Sequence, residues 1–262
     1  MTGRGEPMLT IAALAHNEAG HIPACVDSVR PLKALFGAEV LVVLDSRADE
    51  ATERAAREWA DRVVVSPFVN FSAQRNRTLD LATGEWVFFI DPDERCTPAL
   101  AEEIARAVGE DGSSAYRIPR RNYFFGREVR HTGWWPDYQI RLLRRAGARY
   151  DEAREVHELP MVDGEIGTLR QPLIHYNYAT WRQFFSKQWR YAPYEARALY
   201  AAGSRARPRS LLGQPLRELK RRLVDYQGYK DGLLGLALSI AMCLYTAETY
   251  RQLRRLQRGQ HR

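Results

Sequence analysis

Short apolar runs alternate with helical patterns through the first half of this chain, and that alternation constrains the fold more than any other feature. Leu9–Ala15, Glu39–Leu44, Arg62–Val65 and Trp86–Ile90 read as strands. Between and after them the spacing predicts helices near Ile22–Val29, over Ala48–Ala60, over Ser72–Ala82 with Ser72 as cap, and over Pro98–Val108. Strands separated by helices form βαβ units, which implies a mostly parallel sheet buried on both faces. Right-handed crossovers then bring every strand's carboxyl end to one edge. In open α/β sheets that edge is where ligands bind. Asn17, Glu18, Asp45, Asp91 and Asp93 all fall there.

The sharpest of these strand ends is Phe88-Phe-Ile-Asp-Pro-Asp-Glu94. Two carboxylates spaced D-x-D, Asp91 and Asp93, can share one divalent cation, and Mg²⁺ or Mn²⁺ prefers such oxygen ligands alongside phosphate oxygens. Pro92 stiffens the turn and biases Asp91 towards extended geometry. The competing reading is a solvated acidic turn ahead of the helix at Pro98. Asp45 closes the second strand. It either accepts a hydrogen bond from a base or ribose, or caps the helix that follows. Arg75, before a helix core, either faces a diphosphate or sits on a solvated helix face.

The second half changes character. Ala115–Arg120 and Tyr138–Arg144 read as strands, Asn122–Pro136 is aromatic and irregular, and the chain is helical from Trp181 with a loop at Gly203–Pro208. Within Trp134-Trp135-Pro136-Asp137, aromatic faces suit sugar rings, and a carboxylate can act as general base towards a hydroxyl. Two core tryptophans beside a turn aspartate are the plainer alternative. His157 becomes a third metal ligand if its loop folds over the D-x-D turn. His131 and His175 are expected to be structural.

The 262 residues suffice for one large domain or a domain with an appendage, and 45% hydrophobic residues supply a core. Cys25, Cys96 and Cys243 have neither disulfide nor metal-ligand spacing, which suits a reducing compartment. No apolar stretch precedes the first strand, so no signal peptide is expected. Residues 203–262 carry 13 Lys/Arg and 4 Asp/Glu, whereas the remainder is nearly neutral. The basic tail therefore has its own partner or is simply solvated. Its aromatics form no obvious stacking groove, so no nucleic acid is expected. Gly232–Ala247 carries no charge and is bracketed by basic residues, which suits an interfacial or shallowly re-entrant helix on an anionic membrane surface; a helix packed on the catalytic domain or a second subunit, its arginines solvated, is the alternative.

Taken in order, these motifs resemble those of the family 2 inverting glycosyltransferases of the GT-A fold, and most of all the lipopolysaccharide core glucosyltransferase-like branch. The matching pieces are His16-Asn-Glu18, Val43-Leu-Asp-Ser46, Ser72-Ala-Gln-Arg-Asn76, the run Ala82–Arg95, Tyr116–Gly126, Gly133–Arg144 and Val156-His-Glu158. The resemblance implies a Rossmann-like, mostly parallel sheet flanked by helices over residues 1–180. A helical, membrane-associating extension would occupy 181–262. It implies a nucleotide-sugar donor, with Asn17, Glu18, Asp45, Arg75, Asp91 and Asp93 on the donor, and Asp91, Asp93 and His157 on a divalent cation, Mg²⁺ or Mn²⁺. Asp137 would be the base for the acceptor hydroxyl, and Trp134 and Trp135 would meet the acceptor. The expected acceptor is lipid-linked or lipopolysaccharide-type, at the cytoplasmic membrane face. A peptide or protein glycosyltransferase and a non-catalytic nucleotide-sugar-binding module are the rival readings. The chain departs from the family after Asp45-Ser46, where Arg47 and Ala51 stand in place of glycines, so UDP-glucose is only a default donor.

Overall fold

The computed structural model describes residues 8–110, 112–153 and 159–259. Its elements run β1 (Leu9–Ala15), α1 (Ile22–Ser28), α2 (Arg30–Phe36), β2 (Glu39–Asp45), α3 (Glu50–Trp59), β3 (Arg62–Ser66), α4 (Phe71–Leu81) and β4 (Trp86–Phe89). There follow β5 (Glu94–Cys96), α5 (Pro98–Gly109), β6 (Ser113–Phe124), β7 (Arg127–Val129), β8 (Asp137–Arg144) and β9 (Ala148–Tyr150). The chain closes with β10 (Pro160–Val162), β11 (Glu165–Thr168), β12 (Leu173–Tyr178), α6 (Trp181–Ala201), α7 (Ser210–Lys220) and α8 (Gly232–Gly259).

By packing, the chain forms two compact units. The first holds residues 1–120 and 138–175, the second 121–137 and 176–262. The boundary expected at residue 180 follows the change from sheet to helix. The packing division instead assigns the aromatic stretch 121–137 to the unit that contains the C-terminal helices.

The first unit is built on a sheet in the order β3-β2-β1-β4-β8-β6-β12-β5. β3, β2, β1 and β4 are mutually parallel, in the registers Val43↔Val64, Ala12↔Leu41 and Ile11↔Phe88. Beyond them the sheet is mixed, because β8 runs antiparallel to β4 and β5 antiparallel to β12. Leu9, Ile11, Val42, Trp86 and Phe88 are all within 1% of full burial, as a sheet covered on both faces requires. Gly84 sets the start of β4. A Cβ there would lie 2.5 Å from the Thr10 backbone nitrogen, and Thr10 Oγ1 accepts from the Gly84 amide at 2.8 Å.

Three helix starts depart from expectation in instructive ways. The helix expected over Ile22–Val29 stops at Ser28, and α2 begins anew with Pro31 in its first turn. Proline lacks the amide that would continue the first helix. Asp49, accepting from the Thr52 amide, is the cap of α3. Asn70, accepting from the Ala73 amide, caps α4, while Ser72 is buried inside its first turn.

In the second unit, Asn122–Phe124 of β6 pairs with β7 as a hairpin. Phe125 and Gly126, at φ 54° and 77°, form its two-residue turn, where positive φ at both positions matches strand twist. The stretch expected to be irregular is therefore partly sheet. The core of this unit joins Phe124, Val129, Tyr178, Phe184, Leu238 and Met242. A second cluster joins Ala196, Ala206 and Leu253. Cys25, Cys96 and Cys243 are free thiols, the first two buried. Burial pushes the Cys96 thiol up to about 12 and Cys25 higher still, so neither is a nucleophile at neutral pH.

Candidate functional site

In the first unit, the parallel register places the ends of β1, β2 and β4 side by side. Ala15 pairs with Leu44, and the Ile90 amide donates to the Ala12 carbonyl at 3.0 Å. Asp45, Asp91 and Asp93 follow directly on these strand ends, and residues 16–18 on β1.

Asp45 is 6% exposed and does not cap α3, because Asp49 does. Its partner is Arg47. The Arg47 amide and Nη2 each donate to its carboxylate at 2.9 Å, and Nε donates at 3.2 Å. His16 Nδ1 lies 3.4 Å away. The side-chain hydrogen bonds from Arg47 hold the carboxyl below the usual carboxylate range, against the opposing effect of burial. Asn17 Oδ1 accepts from the Asp49 amide at 3.0 Å, and Glu18 accepts from the His16 amide, so both tie down the loop after β1.

The Asp91-Pro92-Asp93-Glu94 segment is a turn, closed by the Glu94 amide donating to the Asp91 carbonyl at 2.8 Å. Its two aspartates have different surroundings. Asp91 is ion-paired with Arg141, which donates from both Nη1 and Nη2, and Arg75 Nη2 stands 3.7 Å away. Partial burial works against the charge on Asp91, yet the Arg141 and Arg75 guanidiniums outweigh it and hold the carboxyl well below its ordinary range. Glu94, fully buried, accepts from Arg141 Nη2 at 2.6 Å and Arg120 Nη1 at 3.3 Å. It also accepts from the Asp91 amide at 3.0 Å through its second oxygen. Asp93 carries no guanidinium of this set. Its side chain is 32% exposed, as is that of Asp91, and its neighbour is His175 Nε2, 3.5 Å away. Arg75 lies over the rings of Phe89 and Tyr150, 5.1 and 5.7 Å from their centroids, which aims it at the turn and not at open solvent.

In the second unit, Asp137 Oδ2 accepts from Asn122 Nδ2 at 3.2 Å. Asn122 is fully buried and also donates to the Trp134 carbonyl at 3.0 Å, so a single side chain sets the path from Trp134 to Asp137. The two tryptophans diverge. Trp134 packs on Phe124 at 4.9 Å between centroids and lies under the Arg222 guanidinium at 5.3 Å. Trp135 is 40% exposed. Trp134 is thus mainly a packing residue, and Trp135 is the one with a face to offer a ligand.

His157 lies outside the described residues. Among the described residues no cluster of three or more His, Cys, Asp or Glu could by itself hold a metal ion. The oxygens at Asp93, and at Asp91 if Arg141 shares it, suit a hard cation that completes its shell with water and phosphate oxygens.

The glycosyl transferase family 2 profile matches residues 10–164. The chain belongs to that family. It is a glycosyltransferase, and its mixed sheet flanked by helices is the GT-A architecture the sequence pointed to. It is 26% identical over 223 residues to the lipopolysaccharide core biosynthesis glycosyltransferase LpsC of Rhizobium meliloti, covering 80% of this chain and 78% of LpsC. It is 27% identical over 110 residues to the putative glycosyltransferase EpsH of Bacillus subtilis, covering 40% of this chain and 31% of EpsH. Among solved structures, S. aureus TarS 1–349 in complex with UDP-GlcNAc is similar with a TM-score of 0.48 and 16% identity, covering 96% of this chain and 92% of that one. Glucosyl-3-phosphoglycerate synthase from Mycobacterium tuberculosis, solved with Mn²⁺, UDP and glucosyl-3-phosphoglycerate, has a TM-score of 0.38 and 22% identity over 44% of each chain.

Sequence reasoning missed Arg141, Arg120 and Glu94 as a buried charge network, and missed His175 as a neighbour of Asp93. Arg141 left a trace: it is the one charge between Ile140 and Leu142 in β8, and it is 3% exposed. A charge in an inward register needs a buried partner. His175 left none, since its partner comes from another strand.

Proposed function

We propose that this glycosyltransferase transfers a sugar from a nucleotide-sugar donor, with inversion, to a hydroxyl of a lipid-linked or lipopolysaccharide-type acceptor at the cytoplasmic membrane face. The observation that carries this reading is the unequal pair in the Asp91–Glu94 turn, both carboxylates partly exposed, with Asp91 clamped by arginines and Asp93 beside His175. In this assignment Asp45 faces the nucleoside, and Asn17 and Glu18 hold the loop beside it. Arg75 offsets diphosphate charge. Asp93, with Asp91 and His157, would hold a divalent cation, Mg²⁺ or Mn²⁺. That cation would supply charge neutralisation for the departing diphosphate.

Asp137 is the base. As the acceptor oxygen bonds to the anomeric carbon from one side, the bond from that carbon to the diphosphate oxygen breaks on the other. The hydroxyl proton passes to the Asp137 carboxylate, and the nucleoside diphosphate leaves with the electron pair. One displacement gives inversion, and no sugar–enzyme bond forms. The Asn122 hydrogen bond holds the carboxylate, and Trp135 offers a face for an acceptor ring. The similarity to LpsC, a lipopolysaccharide core biosynthesis glycosyltransferase, supports the acceptor class, and the basic C-terminal extension supports a membrane-borne acceptor.

Single-turnover transfer from a panel of UDP-sugars to deacylated and intact lipopolysaccharide core acceptors, with and without EDTA, tests the assignment. Asp137→Asn should slow transfer about 10²–10⁴-fold with donor affinity retained, the usual loss for a general base. Asp93→Asn should lose both transfer and its response to added Mn²⁺. Transfer by Asp137→Asn near the wild-type rate would remove the base assignment, and full activity in EDTA would remove the cation.

A further inference from the structure

Helix α8 is both a core helix and an apolar surface. Over Gly228–Gly259 its mean hydropathy reaches 1.4 in the most apolar window, and by length and composition it could cross a membrane. At 28 residues α8 would extend about 42 Å, more than a hydrocarbon core needs. The packing argues against a crossing. Leu238, Ala241, Met242 and Leu253 are buried in the second unit's two clusters. Gly235 fits only because it lacks a side chain, since a Cβ there would lie 1.9 Å from the Gly228 carbonyl oxygen. A bilayer crossing would have to strip this face from its core.

Among the described residues, the opposite face has no such partner. Leu233, Leu236, Ile240 and Leu244, spaced by three, four and four residues, form one stripe and are 84%, 39%, 45% and 49% exposed. The same stripe continues through Ala247 into Arg251, Arg255 and Arg258, all exposed. Lys230, also exposed, precedes its other end. The charged groups beside the stripe are few: Glu248 is hydrogen-bonded by Arg251, and Asp231 by His131. The apolar face is therefore bounded at both ends by cations.

Resting on the membrane reading above, we propose that α8 is a monotopic dock. Its Leu233–Leu244 stripe lies in the interface of an anionic bilayer, with Lys230 at one end and Arg255 and Arg258 at the other among lipid phosphates. The inner face of the helix stays in the protein core. Charge selects this occupant over a second copy of the chain. A stripe basic at both ends, paired with itself, would set cations against cations in either direction, whereas anionic lipid neutralises both ends. Leucine and isoleucine on one face with arginine at its margin is the composition of an interfacial helix.

The test uses the full chain with vesicles of phosphatidylglycerol and phosphatidylethanolamine, and with vesicles of phosphatidylcholine alone. Wild type should co-sediment with the anionic vesicles and at least about tenfold less with the neutral ones. Leu236→Glu/Ile240→Glu, on exposed positions away from the core, should lower anionic-vesicle binding at least about tenfold with an unchanged melting temperature. Arg255→Glu/Arg258→Glu should lower it too and leave monomer mass unchanged. Donor hydrolysis without acceptor should stay at wild-type rate in both variants, which separates failure of the dock from failure of the transferase reading. Equal binding by the Leu236→Glu/Ile240→Glu protein, equal binding to both vesicle types, or a lipid-free dimer that this variant dissolves would each overturn the proposal.

Discussion

Arg47 and Arg141 both clasp an aspartate at a strand end, and their burial makes them different devices. Arg47 is 67% exposed on its side chain, so its grip on Asp45 is open to solvent and can be released when a ligand arrives. Removing it by Arg47→Ala should raise the Asp45 carboxyl titration, followed by carboxyl-carbon NMR. The sign follows from linkage. The folded-state value lies below the ordinary ~3.9, so Asp45 contributes stability that is present above that pH and is lost as pH falls through the lower folded value. In Arg47→Ala the folded and unfolded values draw together, so stability near neutral pH should fall and the acid loss that Asp45 contributes should shrink. Arg141 is 3% exposed and cannot let go cheaply. Arg141→Met leaves the fully buried Glu94 with the more distant Arg120 and the Asp91 amide, and costs Asp91 its closest cation. Stripping one partner from a buried ion pair typically costs about 3–5 kcal/mol. Denaturant unfolding should show a loss of that size; a change below about 1 kcal/mol would mean that the network is not structural.

At the scale of elements, the position of the Asp91–Glu94 turn depends on where β4 ends, and that is decided where it begins. Gly84 packs its backbone directly on Thr10, which locks β4 to β1 in the register Leu9↔Trp86. From there Phe88 and Phe89 run buried to Ile90, and the Asp91 turn emerges at the sheet edge. Gly84→Val would push a branched side chain into the Thr10 backbone, and overpacking of this kind costs about 1–3 kcal/mol. The expected result is a lower melting temperature together with weaker donor binding in the folded fraction, since a displaced strand moves the Asp91–Glu94 turn. Unchanged donor affinity in the folded protein would show that the turn is positioned from β5 and β8 alone. The hairpin of β6 and β7 has a comparable task in the second unit. It carries Asn122, whose amide fixes both the Trp134 carbonyl and Asp137.

For the molecule as a whole, charge is distributed by task. Residues 203–262 carry a net +9 and the rest a net −2. A uniformly basic protein would bind polyanions everywhere, whereas this one has its net positive charge in the segment that also carries an exposed apolar stripe. Binding to anionic vesicles should therefore have two parts. Raising salt towards about 1 M, where screening reaches ~3 Å, should remove most of the charge-dependent part and leave a weaker apolar remainder. Complete insensitivity to salt in a vesicle titration would contradict the charge argument, and complete loss would contradict the apolar one.

Local chemistry was readable wherever one segment carried its own instructions. The strand-helix alternation, the acidic strand ends and the Pro92 turn are short-range patterns, since period and backbone restriction act within a few residues. Caps were readable in kind and were misassigned by two residues at α4, because Asn70 and Ser72 both suit the role and only packing decides which is buried. The resemblance carried by the ordered motifs reached the family. What no stretch of chain could state is which groups meet. The Arg141, Glu94 and Arg120 network joins three strands, and His175 reaches Asp93 from β12. Asp45 looked equally suited to capping α3 until Asp49 was seen to occupy that place. The apolar run 232–247 was too short for a simple crossing, and its sequence suited an interfacial helix without showing which residues would be buried. Burial of Leu238 and Met242 shows that one face packs in a core, while Leu233 and Ile240 on the other face are exposed. Partner choice between distant residues is settled by tertiary packing, because the cost of burying a charge or exposing a leucine depends on what surrounds it.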